Sequence, residues 1–372
     1  MESIPKHFAA NNQEYQRHQV NSIVDERTLN EIYFPTFRKA VEKGHVGAVM
    51  TSYNPVNGVH AAESPVLVKD NLRAWGHEGI VMSDWPSTYT TAGCLCSGLD
   101  LEMPRAFELT FDEISHYIET GLVSERELDL KCIHILQTLS AYGFIDKPLN
   151  DVGDWAPIPV NETSRAAAYR AALESVVMLK NDGVLPVRKG NIVVMGPNAD
   201  YIAYGGGSGR MQPIEGTTTT LWQGLSALGK KYKVTLLADA SDKAAISRAD
   251  AVIVSVGFNK DTEKEGADRT YELPQGQQEM ILEAASLNKN VVVVLNSGGE
   301  VATAPWLDKV GGLIMAWYTG QEGGKALAAI ISGAQSPSGR LPFICTITHL
   351  SKIAFATFII LDTLPNSIFL SG

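Results

Sequence analysis

Two apolar runs constrain the fold of this chain more than anything else in it. Ala251–Val256 and Val291–Leu295 are almost wholly small or β-branched apolar residues, and each run is bounded by polar or glycine residues. A strand with one wet face alternates polar and apolar residues; a strand without that alternation is buried on both faces. Asn191–Met195, Val234–Leu237 and Gly312–Trp317 read as strands of the same set, with helical patterns at Gln277–Leu287 and Gly323–Ile331 between or after them. Strands spaced by helices predict a parallel sheet covered on both sides. Thr163–Lys180 has helical spacing and leads into this region.

The first part of the chain repeats the pattern. Val46–Met50 and Gly79–Ser83 read as buried strands, and Gly98–Leu101 as a third. Helical spacing runs over Leu67–Trp75, Phe111–Thr120 and Glu125–Ala141. Between the two parts, Asp146–Pro159 carries Pro148, Gly153, Pro157 and Pro159 among Asp and Asn residues, which is linker chemistry. The expected organisation is a first domain over 1–147, a linker over 148–165, a second domain over 166–345 and a tail over 346–372. A length of 372 residues agrees with two domains.

Composition narrows the function classes. The 31 basic residues are outnumbered by 41 acidic ones and form no basic run, so no nucleic-acid partner is expected. Four cysteines do not make a disulfide scaffold, and no Cys/His spacing suggests zinc. No apolar stretch approaches the roughly 20 residues of a membrane-spanning helix, so no membrane partner is expected. Met1–Lys6 lacks the apolar core of a signal peptide, and localisation and oligomeric state are not legible.

Several residues carry chemistry. Asp84 directly follows the apolar run Gly79–Ser83, and the C-terminal end of a parallel strand is where barrel enzymes place catalysis. The plainer reading is an N-capping Asp beside a core Trp85. Lys6-His7 pairs a cation with an imidazole, and Tyr53 follows the strand Val46–Met50; a surface pair and a half-buried loop aromatic are their ordinary readings. Glu263, Glu265, Asp268 and Arg269 fall in the polar loop Gly257–Arg269 after the strand Ala251–Val256. Such loops are usually only solvated, yet a carboxylate there is a natural general acid/base. Gly224–Lys230 fits GxxxxGK, but Lys231 stands where a phosphate loop needs Ser or Thr, and no strand precedes it. Gly205–Arg210 is glycine-rich without matching GxSxG or GxGxxG. Asn161-Glu162-Thr163 fits a glycosylation acceptor.

In order along the chain, these segments resemble glycoside hydrolase family 3, the β-glucosidase and β-xylosidase family. The resemblance rests on Lys6-His7-Phe8 with Asn11–Glu14, Asp25–Tyr33, Met50–Asn54 with Asn57-Gly58, Ser83-Asp84-Trp85, Gly98–Pro104, Leu179–Pro186, Glu265–Arg269 with Glu272–Pro274, and Pro337–Pro342. It implies an α/β protein: a partial TIM-like (β/α) barrel followed by an α/β sandwich domain with a mostly parallel sheet. It also implies a retaining, exo-acting glycosidase, foremost a β-glucosidase, acting on oligosaccharides or aryl and alkyl β-glycosides. Asp84 would be the nucleophile and Glu265 the acid/base, with Glu263 second in line, contributed by different domains. Lys6, His7, Tyr53, Trp85 and Met50 would bind the sugar, with Lys6 supplying positive charge near Asp84. No metal or organic cofactor is implied.

The chain opens at the family's Lys-His segment. The expectation is therefore a part-barrel of about three strands, plus a stub at Ser3–Pro5, out of the roughly eight in a full barrel. Phe343–Gly372 resembles no segment of the family. An inactive family 3 fragment, a β-xylosidase, and a nucleotide-binding α/β module built on Gly205–Gly209 are the alternatives.

Overall fold

The computed structural model describes residues 3–146, 160–214 and 216–343, and the chain divides into two compact units, Met1–Pro157 and Ile158–Gly372. Most of the expected linker and the whole tail over 346–372 lie outside the described residues. Residues 162–165, assigned to the linker, instead open a helix, Glu162–Ser175, which Asn161 caps by accepting from the Ser164 amide.

In the first unit, β1 (Ala48–Met50) and β4 (Ile80–Met82) pair in parallel, with the short hairpin β2 (Pro55–Val56) and β3 (Val59–His60) between them in sequence. The N-terminal segment runs along the free edge of β1: the Met50 amide donates to Pro5 O, and the Phe8 amide to Met50 O. On the other side Leu101 meets Met82 in one isolated bridge, so the expected third strand over 98–101 is not a full ladder. The cause is Asp100, whose carboxylate takes the Val81 amide at 2.7 Å in place of a main-chain oxygen. Asp100 also binds Arg73 at 2.5 Å and His134 at 2.8 Å.

Apolar residues at helical spacing explain the packing behind this array. Phe34, Phe37 and Val41 share one face of the helix Phe34–Glu42. Phe8 sits 4.9 Å from Phe37 and 5.6 Å from Phe34, with Trp75 edge-on to both Phe8 and Phe34. The expected helix over 67–75 starts earlier, at Pro65, capped by the Ser64 hydroxyl, and widens into a π-helical stretch over Val68–Arg73. The helices Phe111–Glu119 and Glu125–Ala141 form as expected.

The second unit is built on a six-stranded sheet. Its strands are β5 (Val177–Asn181), β6 (Gly190–Met195), β7 (Tyr232–Leu237), β8 (Ala251–Gly257), β9 (Val291–Asn296) and β10 (Gly312–Met315), in spatial order β5-β10-β9-β8-β6-β7. All neighbours are parallel except β5 against β10. The expected helix over 163–180 stops at Ser175 because the apolar run from Val176 enters the sheet as β5. Val252, Val254 and Val256 point to the face carrying Ile281 and Ala284 of the helix Gln277–Leu287. Ala251 and Ile253 point to the opposite face, against Leu221, Leu225 and Leu327. The sheet is therefore covered on both sides, as runs without alternation require. The GxxxxGK lookalike is explained by packing: Gly224 lies in the helix Leu221–Ser226, and a Cβ there would sit 2.1 Å from Gly324 O of the helix Gly323–Ser332. No helix among the described residues is long and apolar enough to cross a membrane.

His77 gives this fold a pH signature. It is 3% exposed, and burial, the leading cause, lowers its pKa from 6.5 to about 4. A His held neutral by the folded state contributes full stability above pH 6.5 and loses it as pH falls toward 4. Urea unfolding at pH 7 and pH 4.5 should show a loss on the order of 2–3 kcal/mol from this residue. His77→Gln should flatten that part of the profile; an unchanged slope would count against it.

Candidate functional site

In the first unit, the ends of the parallel segments deliver the candidate side chains to one place. β4 ends at Met82, and two residues later Asp84 turns inward, 6% exposed. β1 ends at Met50, and three residues later Tyr53 is equally buried. The Tyr53 hydroxyl donates to Asp84 Oδ1 at 2.9 Å. His7 Nε2 lies 3.0 Å from Asp84 Oδ2. Each carboxylate oxygen thus has its own partner, which offsets the desolvation of a buried acid.

The structure brings together Asp84, Tyr53 and His7. Trp85, 41% exposed, stands beside Asp84 at the surface. Met50 is buried in a small apolar cluster with Ala48, Ile80 and Met82. Lys6 is exposed, and Asp84 takes its contacts from His7 and Tyr53, so the charge expected from Lys6 is replaced by hydrogen bonding. Two neighbours had no clear sequence signal. The Arg17 guanidinium lies 4.1 Å from the Tyr53 ring centre and is held by Glu14 at 2.8 Å. The His18 ring lies 4.4 Å from the same ring. Burial is the main cause that lowers the His18 pKa; Arg17 adds to it and Asp84 opposes it.

In the second unit, β8 ends in a clamp. The Gln277 side-chain amide accepts from the Gly257 amide at 2.6 Å and donates to the Gly257 carbonyl at 3.0 Å. The loop that follows is wound on Asn259, whose carbonyl accepts from the Thr262 and Glu263 amides. Lys264 and Ala267 then pair across a turn with Glu265 and Gly266 at its corner. Gly266 has φ +80°, the left-handed conformation that glycine supplies without strain.

The two carboxylates of this loop have different surroundings. Glu263 receives the Arg269 Nε at 2.9 Å, the Gly298 amide at 2.9 Å and the Tyr318 hydroxyl. Burial and Glu263 together push the Tyr318 hydroxyl up, so it stays a donor. Arg269 also lies over the Phe258 ring and donates to Glu300 O. Glu265 is exposed at the corner, where its Oε2 accepts from the Ser208 amide at 2.8 Å and hydroxyl at 2.5 Å. The glycine-rich segment therefore has its use here: Gly206 donates to Glu263 O and bridges Lys264, and Ser208 reaches Glu265. Beside Tyr318, a largely apolar cavity of about 200 Å³ is lined by Ile202, Tyr204, Met211, Pro213 and Ile214. Among the described residues no group of three or more His, Cys, Asp or Glu side chains is placed to hold a metal ion.

Comparison with known proteins places these units. The pattern of the glycosyl hydrolase family 3 N-terminal domain matches residues 1–138, and that of the family 3 C-terminal domain matches residues 176–352. An exo-α-(1→6)-L-arabinopyranosidase of Bifidobacterium longum is 37% identical over 364 residues, covering 90% of this chain and 46% of the relative. The thermostable β-glucosidase B of Acetivibrio thermocellus is 36% identical, with 90% and 46% covered. Among solved structures, a Bifidobacterium adolescentis GH3 β-glucosidase aligns with a TM-score of 0.77 at 35% identity, over 90% of this chain and 50% of that one. β-Glucosidase 3B of Thermotoga neapolitana in complex with glucose aligns with a TM-score of 0.77 at 27% identity, over 94% and 54%. The expected α/β class, a TIM-like part followed by a mostly parallel sandwich domain, agrees with these neighbours. The chain spans about half the length of the curated relatives it matches.

The partners of Glu263 make it the anchor of its loop. Glu263→Gln keeps an acceptor but removes the charge that Arg269 faces, and should cost about 1–3 kcal/mol in urea unfolding. Amide exchange at Gly298 and over 259–267 should speed up; unchanged protection there would rule out the anchoring role.

Proposed function

Because this chain belongs to glycosyl hydrolase family 3, we propose that it carries the machinery of a retaining, exo-acting glycosidase, with Asp84 as nucleophile and Glu265 as acid/base. The observation that carries the reading is the buried Asp84 at the end of β4, one oxygen on the Tyr53 hydroxyl and the other at His7. In a retaining mechanism the nucleophile attacks the anomeric carbon as the acid gives its proton to the departing glycosidic oxygen. An ester to Asp84 forms and the leaving alcohol departs. Glu265 then takes a proton from water, which attacks the same carbon and releases the sugar and the Asp84 carboxylate. Hydrogen bonds from His7 and Lys6 to ring hydroxyls, and packing on Trp85, Tyr53 and Met50, would hold the sugar.

The surroundings of the two loop carboxylates favour Glu265 over Glu263 as the acid. Glu263 is taken up in holding its loop, accepting from Arg269, the Gly298 amide and the Tyr318 hydroxyl, whereas Glu265 sits at the exposed corner of the turn, where the family motif resemblance also places the acid.

The first substrate reading is a terminal nonreducing β-D-glucosyl residue, supported by the β-glucosidases among the relatives and neighbours. A second reading, a pentopyranosyl residue, is supported by the arabinopyranosidase at 37% identity; a β-xyloside is its other form. Aryl β-D-glucoside, α-L-arabinopyranoside and β-D-xyloside, assayed side by side, separate these readings. Asp84→Asn should lower turnover of the preferred glycoside by about 10³-fold or more. Glu265→Ala should lose roughly 10²–10⁴-fold on poor leaving groups. Azide should restore its turnover of an activated aryl glycoside and yield a glycosyl azide, whereas Glu263→Ala should show no such rescue. Equal activity in parent and Asp84→Asn would sink the nucleophile assignment. A folded parent that turns over none of the three glycosides would instead favour a family 3 piece without turnover of its own.

A further inference from the structure

The Tyr53 hydroxyl bonds Asp84 only if the Tyr53 ring is held at the right angle, and β1 ends three residues before it. Arg17 and His18 pack directly on the ring, and side chains from two further segments stand behind His18. His18 packs against the Tyr53 ring at 4.4 Å, and His18 Nδ1 lies 2.8 Å from the Tyr89 hydroxyl. The Tyr89 ring stacks on His60 at 3.7 Å with 26° between planes. His60 Nδ1 lies 3.2 Å from the Tyr53 carbonyl, so that nitrogen carries a proton and donates. The contacts therefore begin and end on Tyr53.

The support is fixed from behind. Glu63, three residues after His60, accepts from the Tyr89 and Thr90 amides at 2.5 and 2.7 Å and from the Thr90 hydroxyl at 2.9 Å. One short segment thus holds both the backbone of Tyr89 and the ring stacked on it.

We propose that His18, Tyr89 and His60 form a closed positioning circuit that sets the Tyr53 hydroxyl on the Asp84 carboxylate. The three are positioning residues: they act on Asp84 through Tyr53. Their protonation states suit the role. Burial and Glu63 push the Tyr89 hydroxyl up to about 12, so it remains a donor. The lowered pKa of His18 keeps its Nδ1 available as the acceptor. The charged and titratable groups around Asp84 are His7, Tyr53, His18 and Arg17, with His60, Tyr89 and Glu63 behind them.

The significance of this circuit rests on the reading of Asp84 as nucleophile, but its test does not need turnover. The test follows the Asp84 carboxyl resonance by carbon-13 NMR in the whole chain at fixed pH. Tyr53→Phe removes the bond and should move that resonance clearly from its parent position. Tyr89→Phe keeps the ring on His60 and deletes only the hydroxyl; it should shift Asp84 in the same direction. His18→Ala should do likewise, and His18→Asn, which places a polar atom near Nδ1, should restore most of the parent value. In the double variant Tyr53→Phe/Tyr89→Phe, the second change should add nothing. An unmoved Asp84 in both Tyr89→Phe and His18→Ala, or the same Tyr89→Phe shift with and without the Tyr53 hydroxyl, would overturn the circuit. An inactive parent with these shifts intact would count against the glycosidase reading alone.

Discussion

The first unit depends on one buried carboxylate. Asp100, its side chain 1% exposed, holds the Val81 amide, Arg73 and His134 together. Val81 is the middle residue of β4, so this knot fixes the strand whose end carries Asp84. Arg73 spreads the same constraint by donating to the His77 and Gly79 carbonyls just ahead of β4. Removing one partner of a buried ion pair leaves an uncompensated charge in a low-dielectric interior, so such a knot admits little movement. On the proposed reading of Asp84 as nucleophile, its carboxylate must be placed to fractions of an ångström, and a strand pinned on both its main chain and its approach suits that.

Carboxylates recur as organisers elsewhere. Glu102 takes the amides of Phe107, Glu108 and Leu109 together with the Thr88 hydroxyl, and so shapes the loop after Met103. Glu63 holds the turn at Tyr89–Thr90, and Glu263 holds the loop of Glu265. In each case a charged oxygen draws several donors and rigidifies irregular backbone that no strand ladder supports. What separates these acids from Asp84 is what their partners are. Each organiser receives at least one main-chain amide beside its side-chain donors, whereas Asp84 Oδ1 and Oδ2 meet side chains, the Tyr53 hydroxyl and the His7 imidazole.

The surroundings of the two loop glutamates illustrate how little spacing alone decides. Glu263 and Glu265 lie two residues apart on one polar loop, and the sequence ranks them only by resemblance to a family motif. The fold brings Tyr318 and Gly298 to Glu263 from segments 55 and 35 residues away. Ser208 reaches Glu265 across 57 residues. The glycine-rich segment around Ser208 matches no phosphate-loop motif, and the fold gives it a different use, backing the loop of Glu265.

By itself the sequence determined seven of the strands, β1 and β4 in the first unit and β6 to β10 in the second. Apolar runs such as Val291–Leu295 can only be buried on both faces, and the helices between them can only cover those faces. It also placed Asp84 and Tyr53 near strand ends, because Asp84 directly follows one apolar run and Tyr53 lies three residues beyond another. Three things were decided by tertiary structure alone. Asp100 reduced an expected strand to one bridge by substituting its side chain for the backbone. The run from Val176 left an expected helix to become β5, since pairing with β10 outweighed local helical spacing. The surroundings of Tyr53, from Arg17 and His18 to Tyr89 and His60, come from three segments of chain. The physical reason is one of range: periodicity and capping act over a few residues, whereas hydrogen bonds and ring contacts between distant segments exist only once the chain has folded.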